Sequence, residues 1–217
     1  MGIKESIGRI KKEIPSNVAL LAATKGRSVE EIKEALRCGL SAIGENYAQE
    51  MEKKYAALKN EAEFHFIGGL QKNKIKKVLD MCSLIQSVDS IELAEEIDKK
   101  AKRKVDVLIQ VNIGKEKSKA GAMPEKLIPV IKEISKLRNI RIKGLMCIEP
   151  YSENPEEARI YFRNMRELSE KIKKQNIPNV GMKILSMGMS DTYKIAIEEG
   201  SNMVRIGTAI FGKRKTI

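Results

Sequence analysis

Tryptophan is absent and aromatic residues make up only 4% of the chain, so the interleaved stacking side chains of a single-strand nucleic-acid binder are missing. Histidine occurs once, at His65, and the three cysteines, Cys38, Cys82 and Cys147, lie far apart with no Cys-x-x-Cys pair. A structural zinc site needs four ligands, commonly in close pairs, so no metal site is expected. The odd, scattered cysteines fit reduced thiols in a cytoplasmic protein better than a disulfide framework. Long apolar runs are lacking too, since stretches such as residues 18–23 have the length of a strand. The amino end, Gly2-Ile3-Lys4-Glu5-Ser6, carries no apolar leader. Membrane-spanning and secreted classes are therefore excluded, and a cytoplasmic location is expected.

What is present is charge. Among 217 residues, 41 are Lys or Arg and 29 are Asp or Glu, a net of +12, with 42% apolar and 32% charged residues overall. That balance describes a folded chain able to bury a core, and no Pro/Gly-rich linker divides it, so residues 1–217 read as a single domain. The lysines fall in separate clusters, at residues 72–77, 99–104, 171–174 and 213–215. Solvated helix faces explain them better than one nucleic-acid surface, although Lys72, Lys74, Lys76 and Lys77 keep that alternative open. Met1-Gly2-x-x-x-Ser6 fits a loose myristoylation pattern, but Ile3, Ile7, Ile10 and Ile14 make the segment an amphipathic helix.

Short β-rich runs recur at residues 18–24, 42–45, 64–68, 84–88, 105–113, 142–148, 183–187 and 203–211. Between them the apolar spacing is helical, as in Ile91, Ala94, Ile97 and Ala101, or Leu127, Ile131, Ile134 and Leu137. Strands apolar at nearly every position belong to parallel sheets covered by helices. Eight of them predict a (β/α)8 barrel, with the leading helix filling the place of a helix after strand eight. A doubly wound open sheet is the alternative, and the missing Gly-x-Gly-x-x-Gly fingerprint counts against it.

In such a barrel the chemistry sits where strands end. Strand one closes on Ala23-Thr24-Lys25, and partial burial there turns a lysine amine into a nucleophile for aldehydes; otherwise it snorkels to the rim. Strand two ends Glu45-Asn46-Tyr47, and strand six ends Gly144-Leu145-Met146-Cys147-Ile148, an apolar wall for a flat ring. His65 alternates with Phe64 and Phe66 and is expected inside the barrel as a hydrogen-bonded core residue. After strand seven, Ser186-Met187-Gly188-Met189-Ser190-Asp191 offers hydroxyls beside a helix start over residues 192–198, with Ser190 or Asp191 as its cap. Gly207 and Thr208 after strand eight add amides to the same anion site, beside Arg205. A reactive lysine, a phosphate cradle and an arginine together suit a phosphorylated aldehyde, and pyridoxal 5′-phosphate has all three features. The lysines at 115, 117 and 119 either greet that anion or are solvated, and solvation is favoured.

These segments, with Gly44-Glu45-Asn46-Tyr47, His65-Phe66-Ile67-Gly68, Leu70-Gln71-x-Asn73-Lys74 and Val204-Arg205-Ile206-Gly207, run in order along nearly the whole chain. Together they resemble the YggS/PROSC family of pyridoxal phosphate homeostasis proteins, whose barrel is similar to the amino-terminal domain of alanine racemase. The resemblance implies a Schiff base on Lys25, with Ser186, Ser190, Gly207 and Thr208 around the phosphate and Arg205 near the pyridine nitrogen. It places Asn46 and Met146 beside the ring or the aldimine. Thr192 stands where the family often has Asp, Gly26-Arg27-Ser28 replaces a commoner turn, and Glu149 precedes Pro150 where Gly or Pro is frequent.

An arginine facing the pyridine nitrogen leaves it unprotonated and weakens the ring as an electron sink. The racemases draw a second base from a further carboxyl-terminal domain that no segment here resembles, and Tyr47 or Tyr193 is the available substitute. The expectation is thus a monomeric carrier or buffer of pyridoxal phosphate, with cofactor-dependent apo-enzymes as recipients and no established catalytic residue. The alternatives are a weak amino-acid racemase or lyase, and a basic nucleic-acid binder.

Overall fold

The computed structural model describes residues 2–213. Eight parallel strands close into a barrel in sequence order: β1 (Ala19–Ala23), β2 (Ala42–Glu45), β3 (Glu63–Phe66), β4 (Leu84–Val88), β5 (Val105–Val111), β6 (Ile140–Cys147), β7 (Val180–Ser186) and β8 (Met203–Ile206). The seam joins β1 to β8, with Ala19 opposite Met203 and Leu21 opposite Arg205. This is the expected TIM barrel.

Helices cover it: α1 (Ile3–Glu13), α2 (Val29–Arg37), α3 (Ala48–Leu58), α4 (Ile75–Leu79) and α5 (Ile91–Lys100) on one stretch of the chain. Then come α6 (Leu127–Ile134), α7 (Arg159–Lys173), α8 (Tyr193–Glu198) and the single turn α9 (Thr208–Phe211). Each turns its apolar stripe to the sheet. On α5 that stripe is Leu93, Ala94 and Ile97, started by the Ser90 hydroxyl accepting from the Leu93 amide at 3.3 Å. The leading helix α1 buries Ile7 and Ile10 and packs against α2 and α9, the place expected for it. Of the myristoylation pattern, Met1 lies outside the described residues, as does most of the 213–215 lysine cluster.

Residues 203–211 were expected as one strand, and here the expectation is corrected. Strand β8 stops at Ile206, and Thr208–Phe211 turn into α9. A short apolar run has no period that separates strand from helical turn. Strands β6 and β7 start earlier than expected, at Ile140 and Val180, because Arg141 and Gly181 interrupt the apolar pattern ahead of the expected starts.

Inside the barrel, Leu84, Leu108, Met146 and Met203 form an apolar plug with Ile184. Alternation along the strands turns Gln86, Ser186 and Arg205 to the same interior. Gly144 is required where β6 meets β7, since a Cβ there would fall 1.8 Å from the Ile184 carbonyl oxygen. Among the described residues, no helix is long and apolar enough to cross a membrane.

Candidate functional site

At the carboxyl ends of the strands lies a cavity of about 270 Å³. Lys25 enters it from the β1–α2 loop, Asn46 from the end of β2, and Arg205 from β8. Ser190, Asp191, Gly207 and Thr208 form its far side, while Ala23, Ile67 and Ile148 supply apolar walls. The Ser190 hydroxyl accepts from the Ala209 amide at 3.1 Å, tying the loop after β7 to the start of α9. Gly188 makes that loop possible, with φ +91° and no room for a Cβ, which would lie 2.5 Å from the Ala196 Cβ. Gly68 is equally constrained: a Cβ there would be 2.2 Å from the Asn46 carbonyl oxygen, so the loop after β3 presses Asn46 into place.

Ser186 and Met146 do not reach this wall. Met146 is fully buried in the apolar plug, and Ile148, two residues on, supplies the strand-six wall. Ser186 is likewise buried, donating to Gln86 Oε1 at 2.7 Å and accepting from Arg205 Nη1 at 2.8 Å. It sits beneath the arginine and orients it.

Arg205 is 5% exposed, and its Nη2 donates to the Cys147 carbonyl oxygen at 2.7 Å. Among the described residues no carboxylate forms an ion pair with it. Burial lowers its pKa from the ordinary guanidinium value. Burial also pushes the neighbouring Cys147 thiol up to about 12, so it offers no thiolate in exchange.

A second polar cluster lies behind Lys25, between β2 and α3. Lys54, itself buried, donates to Glu45 Oε1 at 2.6 Å, to Glu50 Oε2 at 3.0 Å and to the Thr24 carbonyl oxygen at 2.6 Å. The Thr24 hydroxyl also donates to Glu45 Oε1, and the Gly26 amide donates to Glu50 at 2.8 Å. Both neighbours of Lys25 in the chain are therefore anchored. Burial raises the pKa of Glu45, opposed by Lys54 and Thr24. Sequence reading placed Glu45 at the mouth of strand two but passed over its partner Lys54; the available signal was Lys54 on the helix face that also carries Met51 and Leu58.

Neither expected cap of α8 is used. Ser190 serves α9, and Thr192 takes the N-cap position without a side-chain cap. Its hydroxyl accepts from the Met189 amide at 3.0 Å and donates to Glu149 Oε1 at 2.5 Å. Thr192 and Glu149, two of the three departures from the family pattern, are thus each other's partners. Arg27, the third, donates to the Phe211 carbonyl oxygen at 3.1 Å and lies over its ring. Tyr193 is removed from the mouth, its hydroxyl bound to Glu13 of α1 and its pKa raised to about 12 mainly by burial. Tyr47 lines a neighbouring cavity with Gln71 and Lys74. Lys115 pairs with Glu125, and Lys119 with Glu116 at 2.5 Å, so both are engaged locally.

A lysine amine, a buried arginine with no direct ion pair among the described residues, hydroxyls beside a short helical turn, and facing apolar walls fit a flat ring bearing an aldehyde and a phosphate. The chain matches the family model of the alanine racemase N-terminal domain over residues 2–215, and its barrel is of that class. The alanine racemase of Clostridium difficile shares that fold at a TM-score of 0.85 and 17% identity; this chain spans 57% of its length. Nearer in sequence is the pyridoxal phosphate homeostasis protein of Aquifex aeolicus, 48% identical over 200 residues, or 90% of this chain and 87% of that one. The Haemophilus influenzae protein of that name is 40% identical over 92% of this chain and 86% of its own. PipY of Synechococcus elongatus, solved with pyridoxal phosphate bound, superposes at a TM-score of 0.89 with 33% identity, covering 97% of this chain and all of PipY. The chain belongs to the pyridoxal phosphate homeostasis protein family.

Proposed function

We propose that this chain binds pyridoxal 5′-phosphate at the barrel mouth and serves its homeostasis in the cytoplasm as a monomeric carrier or buffer. The observation that carries the reading is the convergence of Lys25, Arg205 and the Ser190–Gly207–Thr208 wall on one cavity. When bound, the cofactor supplies an aldehyde carbon and an electron-accepting ring. Lys25 contributes the amine that captures the aldehyde, and Ser190, Gly207 and Thr208 bind the phosphate. Asn46, Ile67 and Ile148 hold the ring. Arg205 meets the ring nitrogen as a donor only, so that nitrogen keeps its lone pair and the ring withdraws electrons weakly. Holding the cofactor is favoured over turning over amino acids. Apo-enzymes that need the cofactor are the recipients this role implies.

The test is the visible spectrum of purified protein with added pyridoxal phosphate, beside Lys25→Ala, followed by borohydride reduction and peptide mass mapping. A coloured wild type, a colourless variant and a pyridoxyl mass on the Lys25 peptide are expected. A wild type that takes up no cofactor, or an adduct on another lysine, overturns the reading. Exchange of an amino-acid α-proton with solvent, lost in Lys25→Ala, would restore the racemase alternative.

A further inference from the structure

The barrel interior holds a chain of hydrogen bonds running from the mouth to the floor. Arg205 Nη1 donates to Ser186 Oγ at 2.8 Å, and Ser186 donates to Gln86 Oε1 at 2.7 Å. Gln86 Nε2 lies 2.9 Å from His65 Nδ1, and His65 Nε2 lies 3.2 Å from Glu63 Oε1. Glu63 opens onto a floor cavity of about 330 Å³, while Arg205 lines the mouth.

The end groups dictate the direction of every bond between them. A guanidinium can only donate and a carboxylate can only accept. Ser186 receives from Arg205, so its own proton goes to Gln86. The Gln86 amide nitrogen then faces His65, whose Nδ1 must carry a lone pair and whose Nε2 must carry the proton. The Glu63 carboxyl supports this, held down to about 2 first by its hydrogen bond with His65, so it accepts throughout the neutral range. Ser83 adds a further donor to Glu63 at 2.7 Å.

We propose that Ser186, Gln86 and His65 are positioning residues whose one-way hydrogen-bond chain holds Arg205 for its ligand, and that a second proton on His65 breaks the chain and loosens the Ser186 side of that hold, leaving Arg205 on the Cys147 carbonyl oxygen. With Nδ1 protonated, two donors face each other, and Gln86 must turn over. Its amide nitrogen then meets Ser186, which already receives from Arg205, and the Ser186 proton loses its acceptor. For the ligand at the mouth the proposal rests on the pyridoxal phosphate reading; for the order of donors it does not.

The strand neighbours of His65 are uncharged. Its register neighbours are Gly44 on β2 and Leu84 on β4, and Met203 of β8 receives Gln86 Nε2 at 3.2 Å. Beyond Glu63, the charged groups lining the floor cavity are Lys59, Asp80, Arg103, Lys104, Asp106 and Arg141. Asp106 is taken up by Arg141 and Lys143.

Because the chain has one histidine, nitrogen-15 labelling of histidine reads His65 without assignment. In unloaded wild type at neutral pH the ring proton is expected on Nε2; a proton on Nδ1 overturns the proposal whatever the cofactor does. In protein loaded with pyridoxal phosphate, the visible band is expected to change with pH in one component whose midpoint equals that of His65. Gln86→Met should remove that component and weaken pyridoxal phosphate about tenfold, while His65 still titrates. Ser186→Ala breaks the chain one link nearer Arg205 and serves if Gln86→Met fails to fold. A component that persists in either variant, or is absent from wild type, overturns the coupling. Failure of wild type to take up cofactor at all is the separate failure of the binding reading.

Discussion

The molecule buries two sets of charge near its mouth, and they differ in what balances them. Outside the barrel wall, Lys54 lies between Glu45 and Glu50, and charge meets charge within hydrogen-bond distance. Inside the wall, Arg205 is as deeply placed but rests on a hydroxyl and a carbonyl, with no carboxylate ion-paired to it among the described residues. Both have lost water. The first set closes on itself and serves the scaffold, fixing Thr24 and Gly26 on either side of Lys25. The second is opposed only at longer range, by the buried Glu149, and keeps a field that an anionic or lone-pair ligand can answer.

The sharpest way to break the comparison is to remove the balance from the first set. Lys54→Met leaves Glu45 buried opposite no cation, and Glu45 Oε2 already lacks a hydrogen-bond partner among the described residues. A loss of about 3–5 kcal/mol at neutral pH is expected from urea unfolding. Burial raises the folded pKa of Glu45, so the penalty belongs to the ionised form. It is full above that pKa and fades as pH falls through it, and the variant should regain stability on acidification. A variant equally unstable at all pH values would show that packing, and not charge, holds this cluster.

Next comes the loop that frames the second set. Gly188→Ala places a Cβ 2.5 Å from the Ala196 Cβ and 3.0 Å from the Tyr193 Cα at φ +91°. A cost of about 1–3 kcal/mol is expected in thermal unfolding, with weaker pyridoxal phosphate uptake because Ser190 moves.

Thr192→Val tests a carboxylate intermediate between the two sets. Glu149 is 4% exposed and, among the described residues, its side chain receives one donor, the Thr192 hydroxyl. Removing it should cost about 1–2 kcal/mol in urea unfolding, and Thr192→Ser should restore most of that.

Glu63→Gln gives the smallest effect. The Glu63 carboxyl is held at about 2, below the usual value near 4.3. The folded form therefore gains stability that is complete above the ordinary carboxylate range and lost as pH falls toward 2. Its side chain is 55% exposed, so screening leaves well under about 1 kcal/mol. The variant should flatten the acid limb of the stability–pH curve and leave neutral stability nearly unchanged.

Much of the fold was legible because each strand meets its neighbours through backbone that any apolar run can supply. Residues 42–45 and 84–88 were bounded as the structure has them. Lys25 and Arg205 were legible because a charge closing or interrupting an apolar strand is conspicuous. Ser190 was found for its loop and misassigned to α8, since the amide it accepts from, that of Ala209, belongs to an element 19 residues further on. Gln86 and Lys54 went unread for the same reason. A polar side chain in a strand or helix means nothing until its partner is known, and Gln86 bonds to Ser186, 100 residues away.

Arg27 draws out one more consequence. It grips the carbonyl oxygen of Phe211, 184 residues further along the chain, and β1 pairs with β8 at the seam beside it. Contacts of such separation form late, because the loop they close is nearly the whole polypeptide. The wall that faces Lys25 is therefore among the last pieces to emerge during synthesis. A growing chain presents Lys25 long before it owns the wall that faces it, and the mouth is complete only once β8 and α9 have followed β1 by more than 180 residues.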